Sequence, residues 1–401
     1  MTLKLLYDNI DPVKGPLPNL KELFLYVNSK KESSFFKRSI FAYLTDYTKI
    51  ESSFLGAEKS DWIYPLEVSI PIYHIDNLIC GGKIKKTHFW NFLSPKVKQG
   101  VLENRGKIVF NFQEPIGRIF AEGLIAEIEK SKENKKNDEH IPFYNFYFVS
   151  HIEIDHPNFL DTVGGNIYFD DGYIWDLKTK KSNLSKTKKF ICFLHNYHKT
   201  YYRYLLLDFL EKTNLLKQGL VSAKNKAIDF YTEYEKAQVY KLNHRPTFDS
   251  SDDIYHTLEI EQIQDTYLTL VAESEWMYSQ ESTPYDCFDY PYTTEKTLRN
   301  FFYKKIFIII GQPYSLKYLH KRGFKTFHPF IDESYDSVEN PMERMVLALS
   351  ELRKFCNKSE DEITKLYKDI DEVLEFNYNH YMNIISKDRI YKILKEVNGA
   401  Q

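Results

Sequence analysis

From Lys189 onward the apolar positions of the chain fall into short dry runs separated by helical stripes. Phe190–Leu194 is continuously apolar, the pattern of a strand buried on both faces. After the polar bend His195–Lys199, the residues Leu205, Leu206, Phe209 and Leu210 recur at helical spacing, and Gly219 closes the segment before a short strand at Leu220–Val221. Tyr267–Ala272 predicts a further strand, and Ile306–Ile310 is another dry run. Between these two, Thr293 or Thr294 suits the cap of a helix, Glu295 suits its positive end, and Leu298, Phe301 and Phe302 make its apolar face. Gly311-Gln312-Pro313 ends the strand at Ile310, Ser315 opens a second helix, and Gly323 stands where a left-handed residue would stop it. Strands alternating with helices at this spacing predict a parallel α/β sheet.

The first half is read as shorter strands at Leu3–Tyr7, Ile40–Leu44, Val68–Ile72, Lys107–Phe112 and Phe143–Val149, with a helix over Arg118–Lys130. The stretch KSKENKKNDEH after it is a solvated loop. Asp176–Lys189, rich in Lys, Ser and Thr and without apolar periodicity, reads as the connection between two domains, 1–185 and 186–401. The tail is helical. Asn340, Pro341 and Glu343 form a helix start, Ser359 and Glu362 a capping box, and a last helix is expected over Tyr378–Val397.

Length supports the two-domain division, since 401 residues exceed what one ordinary core accommodates. The net charge of −2 provides no global field for nucleic acid, which leaves only a local basic patch for that role. The cysteines Cys80, Cys192, Cys287 and Cys356 lie far apart, which argues against a zinc centre or a disulfide framework and fits a reducing compartment. There is no apolar run of spanning length, and the first residues are too polar for a signal peptide, so a cytoplasmic protein without a membrane span is expected.

Candidate chemistry gathers in the second half. The bend after Phe190–Leu194 puts His198, Lys199 and Arg203 at or near a helix start, where free backbone N–H groups suit a phosphate. The strand at Tyr267–Ala272 delivers Glu273 to its carboxyl end, and an acidic, aromatic loop leads on to Thr294, Glu295 and Lys296. Ligands of open α/β sheets bind at the carboxyl ends of strands, so these groups converge on one rim if the strands are neighbours. A carboxylate there suits ribose or sugar hydroxyls, and the cations suit a diphosphate.

The order of a strand, a His/Lys/Arg bend, a helix and GLVS, then TEK opening a helix, then GQPYSLKYLHKRGFKTF and DESYD, resembles the donor half of a GT-B glycosyltransferase. It is most similar to the glycosyltransferase-like proteins of tailed phages and large viruses, and more distantly to the α1,3-fucosyltransferase type, over roughly Lys189–Phe355. The resemblance implies two Rossmann-like domains facing each other across a cleft, with C-terminal helices. It implies a UDP-sugar or GDP-sugar donor, held at its diphosphate and ribose by Arg203, Glu295 and Lys296, and no cofactor or metal. If the source is viral, the site of action is the host cytoplasm. Tyr314 departs from the pattern, which usually has a small residue there, and HNYHK (His195–Lys199) is poorer in Arg than related chains.

An inverting transfer needs a base from the other domain, and Glu114 and His151, each just past a predicted strand, are the two candidates. FDDGY (Phe169–Tyr173) and DSSDD (Asp249–Asp253) contain spaced carboxylates of the kind that bind a divalent ion in other glycosyltransferases, but both sit in turn-like contexts and no metal site is assigned to them. The acceptor is a glycan or, in a second reading, a hydroxymethylated base in viral DNA, gripped by the Lys-rich stretch Lys83–Lys98 with Trp90 or Phe92 stacking on a flipped base. A third reading is a binding module that keeps the sugar-nucleotide site without catalysis. Lys296 and Arg203 are expected to be accessible at the rim, so that replacing either changes stability by less than about 1 kcal/mol.

Overall fold

The computed structural model describes residues 3–7, 24–27, 47–51, 61–69, 95–112, 146–150, 186, 188–194, 201–223, 263, 265–273, 276, 291, 293–384, 392 and 397. The chain forms two compact units, one of Met1–Asp176, Ser282–Asp289 and Asn383–Gln401, the other of Leu177–Glu281 and Tyr290–Met382. Each contains a parallel or mostly parallel sheet.

The first unit contains β1 (Leu3–Tyr7), β2 (Phe24–Val27), β3 (Tyr47–Glu51), β4 (Trp62–Ser69), α1 (Pro95–Leu102), β5 (Gly106–Phe112) and β6 (Phe146–Ser150). Its strands run in the order β3-β1-β4-β5-β6, all parallel, with β2 antiparallel to β4. β1 and β5 lie where the apolar pattern puts them. β4 starts six residues before the expected Val68, because Pro65 in mid-strand disguises the run: a residue without an N–H reads as a strand breaker. α1 overlaps the end of the Lys-rich stretch Lys83–Lys98. Its buried side is Val97, Gly100 and Val101, too sparse to announce a helix. Trp62 explains the glycines: a Cβ on Gly100 or Gly106 would come within 2.4 or 2.2 Å of its ring. β2 and β3 have no counterpart in the sequence pattern. The strand expected at Ile40–Leu44 and the helix at Arg118–Lys130 lie outside the described residues.

The second unit and the helices that run on from it comprise β7 (Lys188–Leu194), α2 (Tyr201–Lys212), β8 (Gly219–Ala223), β9 (Thr266–Ala272), α3 (Glu295–Phe302), β10 (Ile306–Ile310), α4 (Ser315–Lys321), α5 (Pro341–Cys356), α6 (Glu360–Asp369) and α7 (Asp371–Ile384). The sheet order is β10-β9-β7-β8, parallel throughout. β10 is buried along its whole length, as an all-apolar strand must be. Phe301 of α3 stacks on Phe324 at 4.0 Å and meets Phe307 edge-on at 5.5 Å, which fixes α3 over the sheet. The helix ends follow their sequence signals. Asn340 Oδ1 accepts from the Met342 and Glu343 amides, Ser359 and Glu362 complete a capping box, and Gly323 takes φ +83°. The helix expected over Tyr378–Val397 overlaps α7, which begins earlier, at Asp371; most of the residues after Ile384 lie outside the described ones. Among the described residues no helix is long and apolar enough to cross a membrane.

Counting only the parallel strands of each sheet in chain order, and so leaving out β2, each sheet begins with strand order 2-1-3-4, so the chain reverses direction of growth between β1 and β4 and between β7 and β9. The carboxyl end of such a reversal is where open α/β sheets form their crevice.

At the opposite, amino end of the second sheet sits a polar misfit. Lys305 is 3 % exposed and its Nζ has no hydrogen-bond partner among the described residues. Burial, reinforced by the Lys186 charge and opposed by Asp265, holds its pKa well below the ordinary lysine value. Because the folded value is depressed, the unfolded chain binds more protons between that value and the ordinary ~10.4. The stability contributed by the neutral amine is full above ~10.4 and is lost as pH falls toward the folded value. Lys305→Met is therefore expected to raise stability at neutral pH by about 1–2 kcal/mol and to flatten its rise with pH, as urea titrations at several pH values would show.

Candidate functional site

The carboxyl end of β9 is the centre of the candidate site. Its ladder continues one residue past the strand, with the Glu273 amide donating to Ile310 O at 3.0 Å, so Glu273 is fixed beside the end of β10. The neighbouring Gly311 lets that approach happen: a Cβ there would lie 3.3 Å from Glu273 Cβ.

Glu273 is fully buried, and its carboxylate is a cap for α3. The Thr294 amide donates to Oε1 at 2.9 Å, the Thr294 hydroxyl to Oε2 at 2.7 Å, and the Thr297 hydroxyl to Oε1 at 2.5 Å. Lys296 Nζ lies 4.0 Å from Oε2 and donates to Thr294 Oγ1 at 3.3 Å. Thr294 is itself the N-cap residue, its oxygen accepting from the Lys296 amide. A carboxylate against a helix start meets both the free amides and the positive dipole end, which makes its burial affordable. The carboxylate expected to hold sugar hydroxyls instead holds the helix that carries the Glu295-Lys296 pair.

Arg203, in the first turn of α2, is also turned inward. It is 4 % exposed, not accessible at a rim as expected from its polarity and its place after a bend. Its Nη2 donates to Ala272 O at 3.1 Å and Glu273 O at 2.9 Å, and its Nε to the Tyr202 hydroxyl at 3.3 Å. Tyr202 in turn donates to Glu273 O and stacks on Trp276 with centroids 5.0 Å apart. Burial works against the guanidinium charge, yet Tyr202 and Glu273 keep its pKa above the ordinary value. Carbonyl groups at the end of β9 thus supply what a solvent shell would have.

A second buried arginine does the same for the adjoining loops. Arg344 of α5 donates to Gly311 O and Glu339 O, both at 3.0 Å, and to Val338 O and Trp276 O. Between them, Arg203 and Arg344 clamp carbonyls that follow β9 and β10, and both place fixed positive charge at this end of the sheet. Asp336 completes the frame: its carboxylate accepts from the Leu316 and Lys317 amides at 2.9 and 3.1 Å. Burial raises its pKa, opposed by those two amides. Burial also pushes the Cys192 thiol in β7 up to about 12, against the opposing charges of Arg203 and Arg299, so it is not a nucleophile near neutral pH.

The structure therefore brings together Arg203, Glu273, Thr294 and Lys296, with Glu295 as the first residue of α3. Lys296, with 19 % of its side chain exposed, keeps partial access to solvent. Glu114, His151, His198 and Lys199 lie outside the described residues. Sequence reasoning missed Thr297 and Arg344. The signal for Thr297 was present, since a threonine three positions after Thr294 on the face of Leu298 and Phe301 has to find a buried acceptor. Arg344 sits inside an apolar stripe with Met345, Ala348 and Leu352, and an arginine there has to be satisfied by buried oxygens.

No family model, no curated protein sequence and no solved structure matches the chain.

Proposed function

We propose that the chain is a GT-B glycosyltransferase: two Rossmann-like domains facing across a cleft, with a nucleoside-diphosphate sugar as donor and an acceptor hydroxyl as nucleophile. The observation that supports this best is the position of α3. Its capped start, carrying Glu295 and Lys296, is tied through Glu273 to the carboxyl end of β9, at the reversal of strand order. That place combines a helix dipole, a partly exposed ammonium and two buried guanidinium groups around the single Glu273 carboxylate that caps the helix.

In this reading the acceptor oxygen attacks the anomeric carbon as a base removes its proton. The bond from that carbon to the diphosphate oxygen breaks and the electron pair stays on the diphosphate. Lys296 neutralises the charge that develops there, and Glu295 holds the ribose hydroxyls. Arg203 acts at one remove, by fixing the carbonyls of Ala272 and Glu273 and adding positive potential. The base comes from the first unit, with Glu114 and His151 as candidates. An ammonium on the leaving group supplies the charge stabilisation for which other transferases use a divalent ion.

Calorimetric titration with UDP and with GDP, in EDTA and again with magnesium, tests this. One of the two nucleotides is expected to bind in EDTA with a dissociation constant in about the micromolar to millimolar range. Absence of binding by either, or binding that disappears in EDTA, contradicts the proposal.

A further inference from the structure

Glu273 and Lys296 are opposite charges at one helix start, and they are held very unequally. The buried Glu273 carboxylate accepts from the Thr294 amide at 2.9 Å and from the Thr294 and Thr297 hydroxyls at 2.7 and 2.5 Å. Lys296 Nζ stands 4.0 Å from Oε2, at the outer limit of an ion pair, and 19 % of its side chain is exposed. Arg203 and Arg344 have no such freedom, since both are buried and donate to backbone carbonyls. Either would strip those carbonyls of a donor by moving. Lys296 can leave Glu273 while the three hydrogen bonds above still satisfy the carboxylate.

An anion arriving at the start of α3 therefore meets two opposed influences. Lys296 attracts it, and Glu273 both repels it and competes for the same ammonium. Resting on the glycosyltransferase reading above, we propose that Glu273 is a stand-in anion that holds Lys296 until the diphosphate of the donor displaces it. Donor affinity is then set by the difference between the two grips. The carboxylate keeps its hold on α3 throughout, so the helix start does not change as the lysine turns to the phosphate. Charge that accumulates on the departing diphosphate strengthens the new contact, which favours the transition state over the bound donor.

The test is calorimetry with inorganic pyrophosphate in EDTA on wild type, Glu273→Gln, Lys296→Ala and the double variant, with thermal melting of each. Glutamine removes the charge and keeps an Oε1 acceptor for the Thr294 amide and the Thr297 hydroxyl. Glu273→Gln is expected to bind pyrophosphate about tenfold more tightly than wild type, a factor within reach of two unit charges about 4 Å apart near a protein surface. A purely structural carboxylate would give the opposite sign, because weakening the cap weakens the site. Lys296→Ala is expected to bind more weakly, and adding Glu273→Gln to it should give a gain of less than about threefold, since the contested cation is gone. Thr297→Val takes a donor from the carboxylate, tightens its grip on Lys296 and should weaken pyrophosphate binding by about threefold. Equal or weaker binding by folded Glu273→Gln overturns the inference, as does the same gain with and without Lys296. If Glu273→Gln melts too early to titrate, Thr297→Val decides, and unchanged or tighter binding there overturns it. If neither wild type nor Glu273→Gln binds pyrophosphate, the glycosyltransferase reading falls and the inference with it. If wild type binds and Glu273→Gln binds no better, only the role of Glu273 does.

Discussion

Glu273→Ala is expected to destabilise the protein by about 3–5 kcal/mol, more than any other single change at the carboxyl end of the second sheet. The side chain accepts from the Thr294 amide, the Thr294 hydroxyl and the Thr297 hydroxyl, all in a fully buried setting. Alanine removes the acceptor and leaves three donors dry, and each orphaned buried donor costs about 1–3 kcal/mol. The two hydroxyls can rotate toward backbone oxygens and recover part of that, which is why the estimate stays below the sum. Glu273→Gln keeps one carbonyl acceptor and is expected to cost roughly 1–2 kcal/mol. Arg203→Ala belongs with these variants, because it strips Ala272 and Glu273 of their donor, and a loss of about 2–4 kcal/mol replaces the near-neutral change that an accessible arginine would show. Urea denaturation of the three variants measures all of this. A Glu273→Ala protein within about 1 kcal/mol of wild type would mean that the cap on α3 does not depend on this carboxylate.

Much of the second unit was legible in the sequence for a simple reason. Strands such as Phe190–Leu194 and Ile306–Ile310 are buried on both faces, so they are written as unbroken apolar runs, and the helices between them carry explicit start and stop residues at Thr294, Asn340, Ser359 and Gly323. The first unit hides its strands better. Pro65 interrupts β4, and α1 buries little more than two valines and a glycine, because its contact surface is the flat ring of Trp62. At the site, the position of the residues was legible and the direction of their side chains was not. A carboxylate and a guanidinium after adjacent parallel strands have to meet at one end of a sheet. Whether each faces solvent or the backbone depends on three-dimensional neighbours: Glu273 finds Thr297, and Arg203 finds the carbonyls of β9, through contacts 24 and 69 to 70 residues apart in sequence. No local pattern encodes those pairings.

Lys296→Ala is expected to slow sugar transfer by about 100-fold or more while the protein stays folded. Among Arg203, Lys296 and Arg344 the ammonium is the partly exposed cation, and it lies 3.3 Å from Thr294 Oγ1 and 4.0 Å from Glu273 Oε2. Thr294 and Thr297 still satisfy the Glu273 carboxylate when the lysine is gone, so the stability change should stay within about 1 kcal/mol. Transfer is a different matter, since the diphosphate gains charge as the sugar leaves. A cation beside it is worth more in the transition state than in the bound donor, and its removal acts on turnover beyond any effect on binding. The decisive measurement is nucleotide release from UDP-sugars and GDP-sugars by wild type and Lys296→Ala side by side, with urea midpoints taken on the same samples. Release by wild type, with about 100-fold less by Lys296→Ala at a similar midpoint, is the predicted result. Equal rates in the two proteins, or a loss of rate that only follows a loss of folded protein, would contradict a phosphate-facing role for this lysine.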